Sequence, residues 1–383
     1  MSVHQTIRAQ RCERASSPLP WRLQLVAIAA AAFYLHAICW STVPPDMPLY
    51  QFPWYDHIVA RGPVGAFAAP FSNYTPPYLY LMAAASLTNG VLSPLAAIKL
   101  LAVAGTAFLA FAVADLLKAM GADAKRAAFI FLLPTVVLNA ALLGQCDALW
   151  AGACVFAVAA MIRGRTAASL VWCGVAVAFK AQSAFVAPFI IGALIGRRAP
   201  PWQWAIPALV YAALMLPAWL LGWPATDLAT IYLRQVEYFD FPGNLSNPWI
   251  WATHFFREAA PSFYVLGYAA AAGAAVAVGA LAARTSRPRA MLTLALLSAM
   301  ALPFLLPKMH ERYLFLADVL ALALALAVRS RTSIAIAIGV QLTSLAALAS
   351  YMYDWPLPAL IGAFAGGAAL LAISAEARRA IRS

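Results

Sequence analysis

Residues 95–163 read LAAIKLLAVAGTAFLAFAVADLLKAMGADAKRAAFIFLLPTVVLNAALLGQCDALWAGACVFAVAAMIR. Three apolar runs, 95–117, 127–143 and 147–162, are interrupted twice. The first break carries Lys118, Lys125 and Arg126. The second, GQCD at 144–147, carries an acid. A membrane-crossing helix needs about 20 apolar residues, fewer where the bilayer adapts. Cations at one break and an acid at the next are what successive crossings leave. This stretch predicts an all-α, polytopic transmembrane bundle.

The rest of the chain agrees. Of 383 residues, 64% are hydrophobic and only 10% charged, against roughly 25% charged in soluble domains. Mean hydropathy is +0.79. Soluble enzymes, nucleic-acid binders and disordered chains are excluded. The five cysteines (Cys12, Cys39, Cys146, Cys154, Cys173) are odd in number and lack metal spacing. They read as small apolar residues. Arg8, Arg11, Arg14 and Arg22 precede an apolar run at 23–40. No small-residue cleavage site follows it, so the run is expected to be an uncleaved first span.

Further apolar runs lie at 167–181, 183–196, 202–221, 262–283, 290–306, 313–328, 332–349 and 355–375. Together these make twelve expected spans in a single domain, 1–383. A shorter run, 78–92, is flanked by Pro76, Pro77 and Pro94 and is expected to be interfacial. With both termini cytoplasmic, all but seven of the 26 basic residues fall inside. The seven are Arg61, Lys99, Lys180, Arg234, Arg257, Lys308 and Arg312. Asp46, Asp56, Asp147, Asp227, Glu237, Asp240, Glu258, Glu311 and Asp354 fall outside. A crossing at 78–92 would reverse this sorting. The net charge of +12 therefore follows from topology, and no nucleic acid is needed. The cytoplasmic N-terminus is 1–22. The large outer segments are 41–93, with short interfacial helices, and 222–261.

Candidate chemistry lies on the outer side. Asp46 follows the first span on a segment stiffened by Pro44, Pro45 and Pro48; a plain solvated loop acid is the competing reading. Asp56 follows Trp54 and Tyr55, with Arg61 as its plain partner. Asp147, beside Gln145, sits close to the membrane surface, where it also suits a helix N-cap. Lys180 and Gln182 lie between two apolar runs, where lysine is costly unless it snorkels or meets an anion. The densest cluster is Lys308, His310, Glu311 and Arg312, where a plain Glu311 pair with Arg312 or Lys308 is the competing reading. Tyr238, Phe239, Phe241, Trp249 and Trp251 read first as interface anchors and second as sugar-stacking rings. Acids and cations meeting at headgroup level suit a substrate with one phosphate and one group needing a base. A polyprenyl-phosphate sugar fits, its tail in the bilayer.

An ordered set of motifs then carries a resemblance. It comprises Asp46 after the first span, Trp54, Gly62, NYTPPYLY at 73–80 with Tyr74, and Lys99. GQCD, KAQ at 180–182 with Pro188, LSNPW at 245–249 with Asn247, and KMHERY at 308–313 follow. The chain resembles GT-C integral-membrane glycosyltransferases, and within them bacterial relatives of the glycosylphosphatidylinositol mannosyltransferases. The resemblance implies a GT-C-like fold in a bacterial inner membrane. It implies inverting transfer of a hexose, mannose by resemblance, from a polyprenyl-phosphate sugar to a glycan or lipid-linked acceptor outside. Asp46 matches the proposed base, with Asp56 as the alternative, and Asp147 matches a second acid. Lys180, Lys308, His310 and Arg312 match donor-phosphate positions. Asp56, Trp54, Tyr74, Gln145, Gln182, Asn247 and Glu311 are the supporting or acceptor set. No cofactor is required; a divalent metal shared by Asp46 and Asp147 stays open. The rival functions are a flippase of a lipid-linked saccharide and an outer-face ligase using a diphosphate-linked donor.

Overall fold

The computed structural model describes residues 20–238 and 243–382. Arg8, Arg11, Arg14, Cys12, Phe239, Asp240 and Phe241 lie outside them, as do the side chains of 236–238. Among the described residues there is no strand, only helices joined by turns and short helical segments. In chain order these are α1 (Trp21–Cys39), α2 (Phe52–Arg61), α3 (Pro76–Ser86), α4 (Pro94–Ala119), α5 (Asp147–Ile162), α6 (Thr166–Phe179), α7 (Ala187–Gly196) and α8 (Ile206–Leu220). There follow α9 (Ala225–Tyr238), α10 (Pro248–Phe255), α11 (Ala260–Ala282), α12 (Pro288–Leu305), α13 (Phe315–Val328), α14 (Arg331–Tyr353) and α15 (Leu357–Arg382).

Every one of the twelve apolar runs is helical, but they differ in length. Seven helical segments are long and apolar enough to cross a membrane: α1, α4, Pro201–Leu220, α11, α12, α14 and α15. An eighth crossing arises if Ala124–Leu132 and Pro134–Leu142, bent by 62°, form one span. The bend has a local cause, because Pro134 cannot continue the helix before it. The remaining four, α5, α6, Ala181–Gly196 and α13, are shorter. By length and composition alone seven or eight segments qualify, so the expected count of about twelve is not confirmed. The 78–92 run forms only α3, whose 11 residues extend about 16 Å.

Burial explains the short helices. Of the α1 window 11% is buried, against 72% for α12, so α1 is peripheral and α12 central. α5 and α13 are buried on nearly every face. A helix enclosed by other helices need not match the bilayer. At 16 and 14 residues, α5 and α13 span about 21–24 Å, less than the roughly 30 Å of hydrocarbon. The peripheral helices instead expose large apolar side chains, such as Phe33, Phe111, Val276, Phe364 and Leu371. Apolar surface on that scale belongs in lipid; the protein is membrane-embedded. α7 and α11 pack at small residues, and a Cβ on Gly192 would run into the Gly279 carbonyl.

The short central helices position the site. α5 begins at Asp147, α6 ends just before Lys180, and α13 begins just after the 308–313 cluster. Basic residues mark the other ends of these helices, with Arg163 after α5 and Arg329 after α13. Arg163 grips Asp115 near the end of α4 at 2.7 and 2.8 Å.

Candidate active site

Asp46 owes its position to the end of α1. The last carbonyls of a helix lack intrahelical partners. Here Lys99 of α4, itself buried, supplies them: its Nζ donates to the carbonyls of Cys39, Trp40 and Thr42 at 2.9, 2.7 and 2.7 Å. The chain then runs through Pro44 and Pro45 to Asp46, ahead of a single wide π-helical turn at Met47–Gln51. Arg312 Nη2 donates to Asp46 Oδ2 at 2.9 Å, and the Tyr351 hydroxyl to Oδ1 at 2.5 Å. The Asp46 side chain remains 25% exposed.

Asp147 is enclosed instead. The turn before it passes through Gly144 at φ +61°, where the Met47 methyl would lie 2.6 Å from an added Cβ. Gln51 Nε2 donates to the Gly144 carbonyl at 3.0 Å, tying the Asp46 segment to this turn. Asp147 is the first residue of α5, where a helix favours negative charge. Its carboxylate accepts from Lys180 Nζ (2.6 Å) and Trp150 Nε1 (2.8 Å) on Oδ1, and from Asn139 Nδ2 (2.7 Å) on Oδ2. The side chain is 2% exposed.

Lys180 lies in an extended gap after α6, its ammonium 5.4 Å from the centroid of the Tyr74 ring. Burial pulls its pKa down, but the Asp147 carboxylate outweighs burial and holds it above the ordinary lysine value. Burial pushes the Tyr74 hydroxyl up to about 12, so it stays protonated. Arg312 Nε donates to Glu311 Oε1 at 2.9 Å, and Glu311 is buried. Burial lowers the His310 pKa despite Glu311, whose carboxylate lies 4.0 Å from Nδ1. The 308–313 loop is pinned by Leu245 N, which donates to the Met309 carbonyl at 3.1 Å.

Lys180, His310 and Arg312 converge on one cavity of about 80 Å³. Tyr74, Gln182 and Tyr313 line it too, and Asn73 and Gln235 close one side. Arg312 Nη1 is buried with no hydrogen-bond partner among the described residues. A guanidinium donor left over at a cavity is chemically suited to an anion.

Several expected site residues therefore meet: Asp46, Glu311 and Arg312 in one chain of contacts, Asp147 and Lys180 in another, with Tyr74, Gln182 and His310 beside them. Others stand apart. Asp56 is exposed on α2, and among the described residues no ion pair joins it to Arg61. Lys308 is half-buried, takes a left-handed backbone (φ 58°) and does not line the cavity. Gln145 is buried in the turn before α5. Asn247 caps α10, accepting from Trp249 N at 3.0 Å and donating to the Leu306 carbonyl at 3.2 Å. Trp54 is buried against Tyr74, ring centroids 5.0 Å apart.

Trp249 Nε1 and Trp251 Nε1 donate to the Leu305 and Leu360 carbonyls at 2.7 and 3.0 Å. Asp46 and Asp147 are each occupied by cations and neutral donors. No group of three or more His, Cys, Asp or Glu gathers among the described residues.

Sequence reasoning did not find Tyr351, Asn139, Trp150, Asn73 or Gln235. Asn139 had a signal, as a lone amide inside an apolar run. Tyr351 had none, because an interfacial tyrosine looks like any anchor.

Curated proteins yield no match to this chain. A family model does match, over residues 57–196, a little over a third of the sequence. The matched stretch contains Asp147 and Lys180 but neither Asp46 nor the 308–313 loop. That family is the alpha-(1->6)-mannopyranosyltransferase N-terminal domain, a mannosyltransferase family of GT-C type, as the resemblance led one to expect.

Proposed function

We propose that the protein is an inverting mannosyltransferase. It takes mannose from a polyprenyl-phosphate donor and passes it to a glycan or lipid-linked acceptor. The observation that carries this reading is the pairing of one cavity, lined by Lys180 and by Arg312 with its Nη1 lacking a hydrogen-bond partner among the described residues, to a 25% exposed carboxylate on the same guanidinium. The mannosyltransferase family match supports the sugar and favours transfer over flipping. The active end faces the outside of a bacterial inner membrane, with both termini cytoplasmic; the sorting of charge supports this orientation.

The chemistry assigns each group a task. A sugar hydroxyl is a weak nucleophile at neutral pH. Asp46 takes its proton as oxygen bonds to the anomeric carbon. The bond from that carbon to the phosphate oxygen breaks on the opposite face, and its electron pair leaves with the lipid phosphate. Lys180 and Arg312 are already in place to receive the growing charge, at no cost of reorganisation. Neutral His310 and protonated Tyr74 supply further hydrogen bonds to that phosphate. Asp147 is a positioning residue that holds Lys180. A bilayer-held donor beside a bound acceptor lowers the entropic barrier.

The test supplies purified protein with polyprenyl-phosphate mannose, glucose and arabinose and with a polyprenyl-diphosphate-linked saccharide in turn, with a cell-derived lipid extract as acceptor. Turnover of the mannose donor supports the reading. Turnover only of a diphosphate-linked donor would overturn it in favour of a ligase.

A further inference from the structure

Beside the candidate active site lies a second and larger hollow, about 460 Å³, which the reaction above does not use. Its walls are Tyr50, Trp54, Phe71 and Trp223, with Asp227 and Arg234 at one side. We propose that this groove binds the acceptor as a short, uncharged saccharide of two or three hexose units. The inference rests on the proposed transfer for the acceptor's identity, but the binding site is testable without it.

Four observations point to this occupant. First, the groove and the smaller cavity share Asn73 and Gln235. Trp54 on the groove side touches Tyr74 on the cavity side, with ring centroids 5.0 Å apart. The hydrogen-bonded Asn73–Gln235 pair is thus a common wall, and a chain in the groove lies next to the cavity that Lys180 and Arg312 line.

Second, the walls are aromatic. Tyr50 lies 6.0 Å from Trp54, and Phe71 lies 5.7 Å from Trp223, centroid to centroid. Such faces suit the apolar C–H faces of pyranose rings, leaving hydroxyls for polar partners.

Third, two polar atoms are unsatisfied. Trp223 is buried, yet its Nε1 has no hydrogen-bond partner among the described residues, and neither has Asn73 Oδ1. A buried polar group without a partner is costly. A donor and an acceptor left over at one groove match hydroxyls, which serve as both.

Fourth, the charge is balanced. Among the described lining residues only Asp227 and Arg234 are charged, and they pair with each other. A phosphorylated ligand would call for net positive charge, as the smaller cavity provides; a neutral saccharide does not. The volume lies in the range of ordinary ligand pockets, roughly 300–1,000 Å³. Tyr50 belongs to the turn that begins immediately after Asp46, so the base and the groove wall share one short segment.

The test is binding, read apart from catalysis. An α-1,6-linked mannotriose is titrated into the detergent-purified full chain, wild type against Tyr50→Ala and Asp227→Asn. Tyr50 is 42% exposed, so its truncation spares the core. Trp223→Phe keeps most of the ring's bulk and removes the orphan N–H, and it decides the matter if Asp227→Asn fails to fold. The result expected is saturable binding to wild type, weakened tenfold or more in Tyr50→Ala, with an unchanged thermal midpoint, and several-fold in the other two, each measured below its own midpoint. No binding to wild type, or equal binding by all forms, overturns the groove. Donor turnover on the same samples keeps the two readings separate. Groove-dependent binding without turnover of any donor faults the proposed function and leaves the groove. Turnover without groove dependence does the reverse.

Discussion

Asp147 and Asp46 stand at the same end of the bundle, each against a cation, and they are built for different work. Asp147 starts a central helix, is 2% exposed and accepts from three donors. Asp46 lies on a proline-stiffened loop, keeps 25% of its side chain open and has two partners. Asp147 has its charge fully answered, whereas Asp46 retains room for a substrate hydroxyl. Two acids that look alike in the sequence thus separate in burial and partner count; in the proposed reaction the enclosed one positions Lys180 and the open one is the base.

The comparison breaks first at Asp46. Asp46→Asn is expected to lower turnover by about 10²–10⁴-fold, the usual worth of a positioned base, with little change in the thermal midpoint. Turnover and melting on one preparation check this. At Asp147 the order of effects reverses. Asp147→Asn leaves Lys180 charged and buried, a loss of about 3–5 kcal/mol of stability, read as a lower midpoint in detergent; activity falls because the fold loosens.

Tyr351 sharpens the contrast at smaller scale. Tyr351→Phe removes one hydrogen bond to the Asp46 carboxylate, and is expected to slow turnover about tenfold and to lower the midpoint less than Asp147→Asn does.

The smallest effect concerns His310. Its folded pKa lies below the ordinary 6.5 because burial disfavours the imidazolium. Below pH 6.5 the unfolded chain takes up a proton that the folded chain resists, so stability is complete above 6.5 and declines as pH falls through the lower folded value. His310→Gln is expected to flatten that decline below pH 6.5, measured as midpoint against pH.

Much of the fold was legible because lipid enforces simple rules. Apolar runs became helices almost where their edges fell, and the 78–92 run formed only the 11-residue α3. Span length was not legible. α5 and α13 are short because other helices enclose them, and enclosure is a tertiary fact that hydropathy does not carry. The site was legible by residue and not by pairing. Asp46 and Arg312 were both in view, yet 266 positions separate them. Asn247 was readable in another way: an Asn before Pro248 is the signature of an N-cap with proline at N1, and the structure uses it so. Lys99, seen only as part of a resemblance, turns out to hold the end of α1 and with it the approach to Asp46.

The account rests most heavily on Asp46 as the base. The direct measurement is the rate of mannose transfer from radiolabelled polyprenyl-phosphate mannose by wild type, Asp46→Asn and Asp56→Asn, each checked for its thermal midpoint. The account predicts a folded Asp46→Asn at least a hundredfold slower than wild type and an Asp56→Asn close to it. A folded Asp46→Asn that transfers mannose at the wild-type rate would contradict it.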